Sequence, residues 1–289
     1  MTERAEVLAQ VTRLVEQRRE AYVERLADYV RLPSVSAVGG EPVRAAGVHI
    51  RDVLRIGGFA ARLHESPGQP VVVAHRAGAR DRPRLVIYGH YDVQPPGEDE
   101  LWDSPPFAPA VRDGRLYGRG TADNKGQHLA HVIATELLVE LLGELPGPVS
   151  FVLEGEEETG SPHLDQAMRE LADELAADLV IVSDGPTGRG DRFDLVYGLR
   201  GILAFELTAT GADRDLHSGH YGEIPPNPLW TLVHLLASMK DEAGNITIDG
   251  FPEAAPLPER ERAAVAALEP DVAALLASIG APRLAPAPV

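Results

Sequence analysis

The 289-residue chain reads as a doubly wound α/β domain with a mostly parallel sheet, followed by the first part of an α+β unit. Three observations carry this reading. Helical patterns alternate with short, apolar, partly β-branched runs as far as Val182, the signature of strands buried between helices. Histidine or acidic residues stand at or just past the ends of several of those runs. After Asp194 the alternation gives way to two strand-like segments and a helix, which places a boundary there and divides the chain into 1–194 and 195–289.

In order, Val7, Val11, Leu14, Val15, Tyr22, Leu26, Tyr29 and Val30 recur at three- and four-residue steps, an amphipathic helix that stops before Pro33. A second helix is expected from Pro42 to Ile56, closed by Gly57-Gly58. Strands follow at 60–64, 71–74 and 85–88, the last running out of the core at Gly89. Residues 95–109 read as a long ordered loop, with Trp102 and Phe107 needing a surface to cover. Asp113-Gly114 between Val111 and Leu116 signals a type I′ hairpin. A helix over 127–142, a strand over 148–153, a helix over 163–176 and a strand over 179–182 complete the first domain. Beyond it we expect strands at 195–197 and 202–210, helices at 228–239 and 259–279, and a disordered Pro/Ala tail from Ala281 to Val289.

Composition narrows the chemistry. With 44% hydrophobic and 25% charged residues the chain suits a packed core, and a net charge of −17 argues against nucleic acid or an anionic membrane as partner. No segment approaches the roughly 20 consecutive apolar residues of a membrane span, and residues 1–31 lack a signal-peptide core. The expected compartment is the cytoplasm. The absence of cysteine excludes thiolate ligands, so a transition-metal site must draw on His, Asp and Glu.

His90 and Asp92 lie two apart after the strand ending at Gly89, where an extended backbone points both to one side. Asp123, the run Glu156–Glu158 and Asp184 stand in comparable positions. Taken singly, each has a plain structural explanation: Asp123 as a helix N-cap, the glutamates as a solvated turn, Asp184 as a turn residue before Gly185. Taken together, parallel strands carry these groups to one edge of the sheet, where crowded carboxylates call for a cation. The glycines at 118 and 120 lack the spacing and the Gly-Lys-Ser/Thr ending of a phosphate loop.

Four segments, His90-Tyr-Asp-Val-Gln-Pro, Gly118-Arg-Gly-Thr-Ala-Asp-Asn-Lys-Gly, Glu154-Gly-Glu-Glu-Glu-Thr-Gly-Ser and Asp215-Leu-His-Ser-Gly, resemble the zinc-dependent aminoacylase/carboxypeptidase/dipeptidase family, and most of all its cytosolic and carnosine dipeptidase branch. The resemblance covers most of residues 80–228. It implies a zinc-peptidase catalytic domain followed by a lid that also dimerises. It further implies two Zn²⁺ ions, with Mn²⁺ or Co²⁺ as possible substitutes, bridged by Asp123. His90 and Asp184 would complete one ion and Glu158 would serve the other, facing away from its neighbour on an extended backbone. Glu157 would be the general base, Asp92 would accept the second N–H of His90, and the Asp123–Asn124 peptide would be cis. His217 would reach the partner subunit's site and stabilise an oxyanion; its alternative is a turn histidine.

The family's second metal takes a last histidine from near the end of a longer chain, and His217, His220 and His234, the histidines after Asp184, do not stand in that setting. The expectation is therefore a truncated member with one ordinary and one weak metal site and impaired hydrolysis. The implied substrates are dipeptides or short peptides. An N-acyl amino-acid deacylase and a non-catalytic remnant that binds metal or dimerises are the alternatives.

Overall fold

A computed structural model describes residues 3–185, 196, 198–199, 201–251, 255–268 and 270–285. The chain divides into two compact units, 1–194 and 195–289. In the first, α1 (Glu3–Gln17), α2 (Arg19–Val30) and α3 (Glu41–Ile56) precede β1 (Ala60–His64), β2 (Val71–Arg76) and β3 (Leu85–His90). The small hairpin β4 (Ala110–Arg112) and β5 (Arg115–Tyr117) follows, then α4 (Lys125–Leu142), β6 (Val149–Glu154), α5 (Leu164–Glu170) and β7 (Leu179–Val182).

The five-stranded sheet has the order β1-β2-β6-β3-β7, and β3 pairs in parallel with both β6 and β7. Both pairings made by β2 are antiparallel, so four strands run one way and β2 opposes them. The sheet is thus mixed α/β and mostly parallel. Period-two alternation sorts its side chains between two layers. Val72, Ala74, Ile87, Phe151 and Leu153 face Val43, Ala46, Ile50 and Leu54 of α3 and Leu129 and Val132 of α4. Val71, Val73, Val86 and Val152 face Ala167 and Leu171, in and just after α5. Helices therefore cover both faces, which makes the sheet doubly wound.

Several expected elements differ in extent. The single helix expected over residues 7–30 is two, broken at Arg18, whose φ of −108° and ψ of 11° leave the helical basin. The helix expected over 163–176 ends at Glu170, and Leu171 and Leu175 reach the sheet from turns instead. Asp113 and Gly114 both have positive φ, 50° and 75°, the geometry of a type I′ turn.

The second unit contains α6 (Ser218–Tyr221), α7 (Pro228–Met239), α8 (Glu259–Ala266) and α9 (Val272–Ile279). Residues 202–210 form no strand: Ile202, Leu203 and Phe205 are exposed, and a strand needs a hydrogen-bonded neighbour that this stretch does not find among the described residues. The helix expected over 259–279 is two, because Pro270 lacks an N–H and Asp271 starts a new helix by accepting from the Ala274 amide at 2.8 Å. The strand expected at 195–197 falls mostly, and the tail at 286–289 wholly, outside the described residues. No helix among the described residues is long and apolar enough to cross a membrane.

Candidate metal centre

Parallel pairing places the ends of β6, β3 and β7 side by side with β3 in the middle, so the residues after them share one edge. His90 ends β3 and is fully buried. The chain leaving β6 through Gly155 turns at once into a 3-10 turn, Glu157–Thr159, and the chain leaving β7 reaches Asp184 two residues later. Asp123 arrives from the loop that leads into α4, and the Asp123–Asn124 peptide is cis, as the resemblance implies.

These elements bring five side chains together. His90 Nε2 lies 3.0 Å from Asp123 Oδ1, 3.6 Å from Asp184 Oδ2 and 3.9 Å from Glu157 Oε2. Potential ligand atoms of His90, Asp123 and Asp184 fall within 4.8 Å of one another, as do those of His90, Glu157 and Glu158. The imidazole stands at the junction of the two groups because its strand is the central one. His217, by contrast, belongs to the second unit, where it caps α6, accepts from the Gly219 amide at 3.0 Å and stacks on His220.

The ring of His90 has a defined orientation. Its Nδ1–H donates to the backbone carbonyl of Asp92 at 3.1 Å, with the Asp92 carboxylate farther away at 3.4 Å. That leaves Nε2 directed at the acids. The expected contact from Asp92 is thus made chiefly by its main chain. Its buried carboxylate instead accepts from the amides of Glu157 at 3.3 Å and Glu158 at 3.1 Å, and so secures the turn that carries both glutamates. The two glutamates diverge because a 3-10 turn separates successive side chains by about 120°, and not because the backbone is extended. Gln94 holds Glu158 from outside, donating to its carbonyl at 3.2 Å and its Oε2 at 2.8 Å.

The electrostatics fit a bound cation. Burial pushes the His90 imidazole down, but hydrogen bonds and charge from Asp184 and Asp92 outweigh it and hold the pKa at about 11. Burial, then Asp184 and Glu158, push the Glu157 carboxyl up against the opposing pull of His90. Among the described residues no lysine or arginine pairs with Asp123, Glu157, Glu158 or Asp184. A surplus of negative charge around one imidazole, with nitrogen and oxygen donors only, suits Zn²⁺ or a comparable divalent ion. Two ligands at about 2.1 Å from one tetrahedral ion lie about 3.4 Å apart, and the distances of His90 Nε2 to Asp123 and Asp184 bracket that spacing.

Supporting residues without an assigned role in the sequence reading come from α4 and its N-cap, Asn124. Asn124 accepts from the His90 amide and donates to Asp184, and Lys125, fully buried, donates to the carbonyls of Tyr29 at 3.2 Å and Leu32 at 2.7 Å. Asn124, His128 and His131 recur at i, i+4 and i+7, a polar stripe along one side of the helix, and that spacing is the signal the sequence offered.

Two predictions arise from this packing. A Cβ on Gly155 would stand 2.5 Å from Tyr91 Cζ, between β6 and the glutamate turn. Gly155→Ala is expected to lower stability by about 1–3 kcal/mol through overpacking, read from urea unfolding; an unchanged midpoint would show that the Tyr91 ring is free to move. Burial, followed by the charge of nearby His90, pushes His128 from 6.5 down to about 3. The unfolded chain then binds a proton below pH 6.5 that the folded chain refuses until about pH 3, so stability falls with acid across that window, by up to about 1.4 kcal/mol per pH unit. The His128 ring resonance should not titrate between pH 8 and 5; a midpoint near 6 would contradict its burial.

With the geometry in hand, comparison with known proteins is decisive on family. The profile of peptidase family M20/M25/M40 matches residues 86–285. The chain belongs to this family. Human Beta-Ala-His dipeptidase is 30% identical over 273 residues, covering 88% of this chain and 54% of that protein. Cys-Gly metallodipeptidase dug1 of Schizosaccharomyces pombe is 30% identical over 253 residues, covering 82% and 53%. Among solved structures, the M20 family metallo-carboxypeptidase Sso-CP2 from Sulfolobus solfataricus superposes with a TM-score of 0.79 at 30% identity, covering 91% of this chain and 60% of that one. This family member thus spans about half the length of the curated relatives it matches. Membership implies use of a divalent metal, in keeping with the two ligand groups around His90.

Proposed function

We propose that this M20-family chain carries the centre of a metal-dependent dipeptidase that hydrolyses the amide bond of dipeptides or short peptides. The observation that carries the reading is the convergence of His90, Asp123, Asp184, Glu157 and Glu158 at one sheet edge. In this assignment His90, Asp123 and Asp184 would hold one Zn²⁺ ion, and Asp123 and Glu158 would serve a second, with Mn²⁺ or Co²⁺ as substitutes. Such ions, when bound, would polarise the scissile carbonyl and acidify water.

The chain's own groups supply the remaining chemistry. Glu157 takes a proton from the attacking water as the C–O bond forms, then delivers it to the amine nitrogen as the C–N bond breaks. Asp92 contributes twice, by fixing the tautomer of His90 and by anchoring the glutamate turn through two amide bonds. We assign His217 to the tetrahedral oxyanion as a donor from a second copy of the chain, which makes the active form a homodimer. Dipeptide chemistry is favoured over N-acyl amino-acid hydrolysis by the relatives, which include a Beta-Ala-His dipeptidase and a Cys-Gly metallodipeptidase. A panel of β-Ala-His, Cys-Gly and N-acetyl amino acids, assayed with added Zn²⁺, Mn²⁺ or Co²⁺, tests the assignment. Dipeptide turnover is expected. Turnover confined to N-acetyl substrates would replace it with a deacylase, and turnover of none would leave metal binding alone.

A further inference from the structure

The sheet carries β7 to the edge of the centre but does not itself hold Asp184 there. The ladder between β3 and β7 ends at Tyr88 and Val182, so Ser183 and Asp184 lie past the last paired residue. Strand β7 is an edge strand of the sheet among the described residues, and Val180 and Val182 are 56% and 61% exposed, so packing does little to fix the strand's end. Helix α4 and its N-cap, Asn124, hold it instead. Asn124 Nδ2 donates to the Ser183 carbonyl at 2.7 Å and to Asp184 Oδ1 at 3.0 Å, while His131 Nε2 and Ser183 Oγ are 2.7 Å apart.

The orientation of the Asn124 amide follows from its surroundings. Its Oδ1 faces the His90 backbone N–H at 3.3 Å and His128 Nδ1 at 3.2 Å. The second nitrogen of His128 lies 3.2 Å from the Tyr29 hydroxyl. If that hydroxyl donates to Nε2, the imidazole proton sits on Nδ1 and donates to Asn124, and every member of the chain has a partner of the right kind. A reversed amide would set oxygen against both the Ser183 carbonyl and the Asp184 carboxylate. There is also no slack on the strand side, because a Cβ on Gly89 would stand 2.6 Å from Asn124 Oδ1.

We infer that Asn124 is the positioning residue that brings Asp184 within coordinating range of His90, and that His128 and Tyr29 lock its amide in the one orientation that does so. This rests on the metal-centre reading above and adds to it a device buried behind the ligands. It assigns the polar stripe of α4 a task that neither core packing nor direct coordination explains.

The test is the Zn²⁺ affinity of the full chain, measured by competition with a chromophoric chelator, with circular dichroism and thermal melts to follow folding. Wild-type binding is the control that separates the two readings, since a wild type that binds no Zn²⁺ refutes the metal centre itself. Asn124→Ala is expected to bind Zn²⁺ about 10–100-fold more weakly. His128→Phe keeps Asn124 but frees its amide, and a loss of about 10-fold is expected, at the lower edge of such effects; this variant decides the matter if Asn124→Ala does not fold. Leu54→Ala, a core truncation in α3, which carries none of the ligands, should lower the melting temperature and leave affinity unchanged, which distinguishes positioning from general destabilisation. Wild-type affinity in a folded Asn124→Ala or His128→Phe chain would overturn the inference.

Discussion

Glu157→Gln is expected to lower dipeptide hydrolysis by about 10²–10⁴-fold, the usual contribution of a positioned general base, while the chain still binds Zn²⁺. The exchange keeps the shape of the side chain and the amide bond from Glu157 to Asp92, so the turn that also carries Glu158 should persist. What it removes is the capacity to accept a proton beside His90 Nε2, where Glu157 Oε2 now stands at 3.9 Å. A variant with full activity would exclude Glu157 as the base. A variant that loses metal as well would instead make it a ligand, consistent with its membership of the second group around His90.

The second large effect concerns Asp123. Its Oδ1 lies 3.0 Å from His90 Nε2, and the assignment makes it the group shared by both ions. Asp123→Ala should therefore abolish tight Zn²⁺ binding and, with it, hydrolysis. The side chain is 61% exposed, so its loss leaves little cavity and the metal-free fold should survive. Thermal unfolding reads the difference. At a free Zn²⁺ concentration 100-fold above its dissociation constant the wild type should gain about 2.7 kcal/mol, and the variant should gain almost nothing. Equal stabilisation of the two chains would show that the ion binds elsewhere.

Much of the first unit was legible because its signals are local. Apolar runs ending at Gly89, Leu153 and Val182 mark strands, and His90 and Asp184 stand where such strands give out. Convergence of those ends follows from parallel pairing, which the alternation of helix and strand implies. What the sequence hid depends on contacts distant in the chain. The break at Arg18 carries no proline or glycine, and the stop at Glu170 answers to where Leu171 and Leu175 meet the sheet. The stretch 202–210 has strand-like composition but no described pairing partner, and composition cannot supply one. At the centre, the ligands were visible as charged residues in unusual places, whereas Gln94 is a neutral amide whose importance lies only in what it touches, and Asn124 shows in the sequence only as the start of a helical stripe. The division of labour at Asp92, carbonyl to His90 and carboxylate to the glutamate turn, likewise needs the fold.

The most direct measurement is anomalous diffraction at the zinc absorption edge from crystals of the chain grown with Zn²⁺. The account predicts a peak about 2.0–2.2 Å from His90 Nε2 and from a carboxylate oxygen of both Asp123 and Asp184. Full zinc occupancy at any other group of residues, with no peak beside His90, would contradict it.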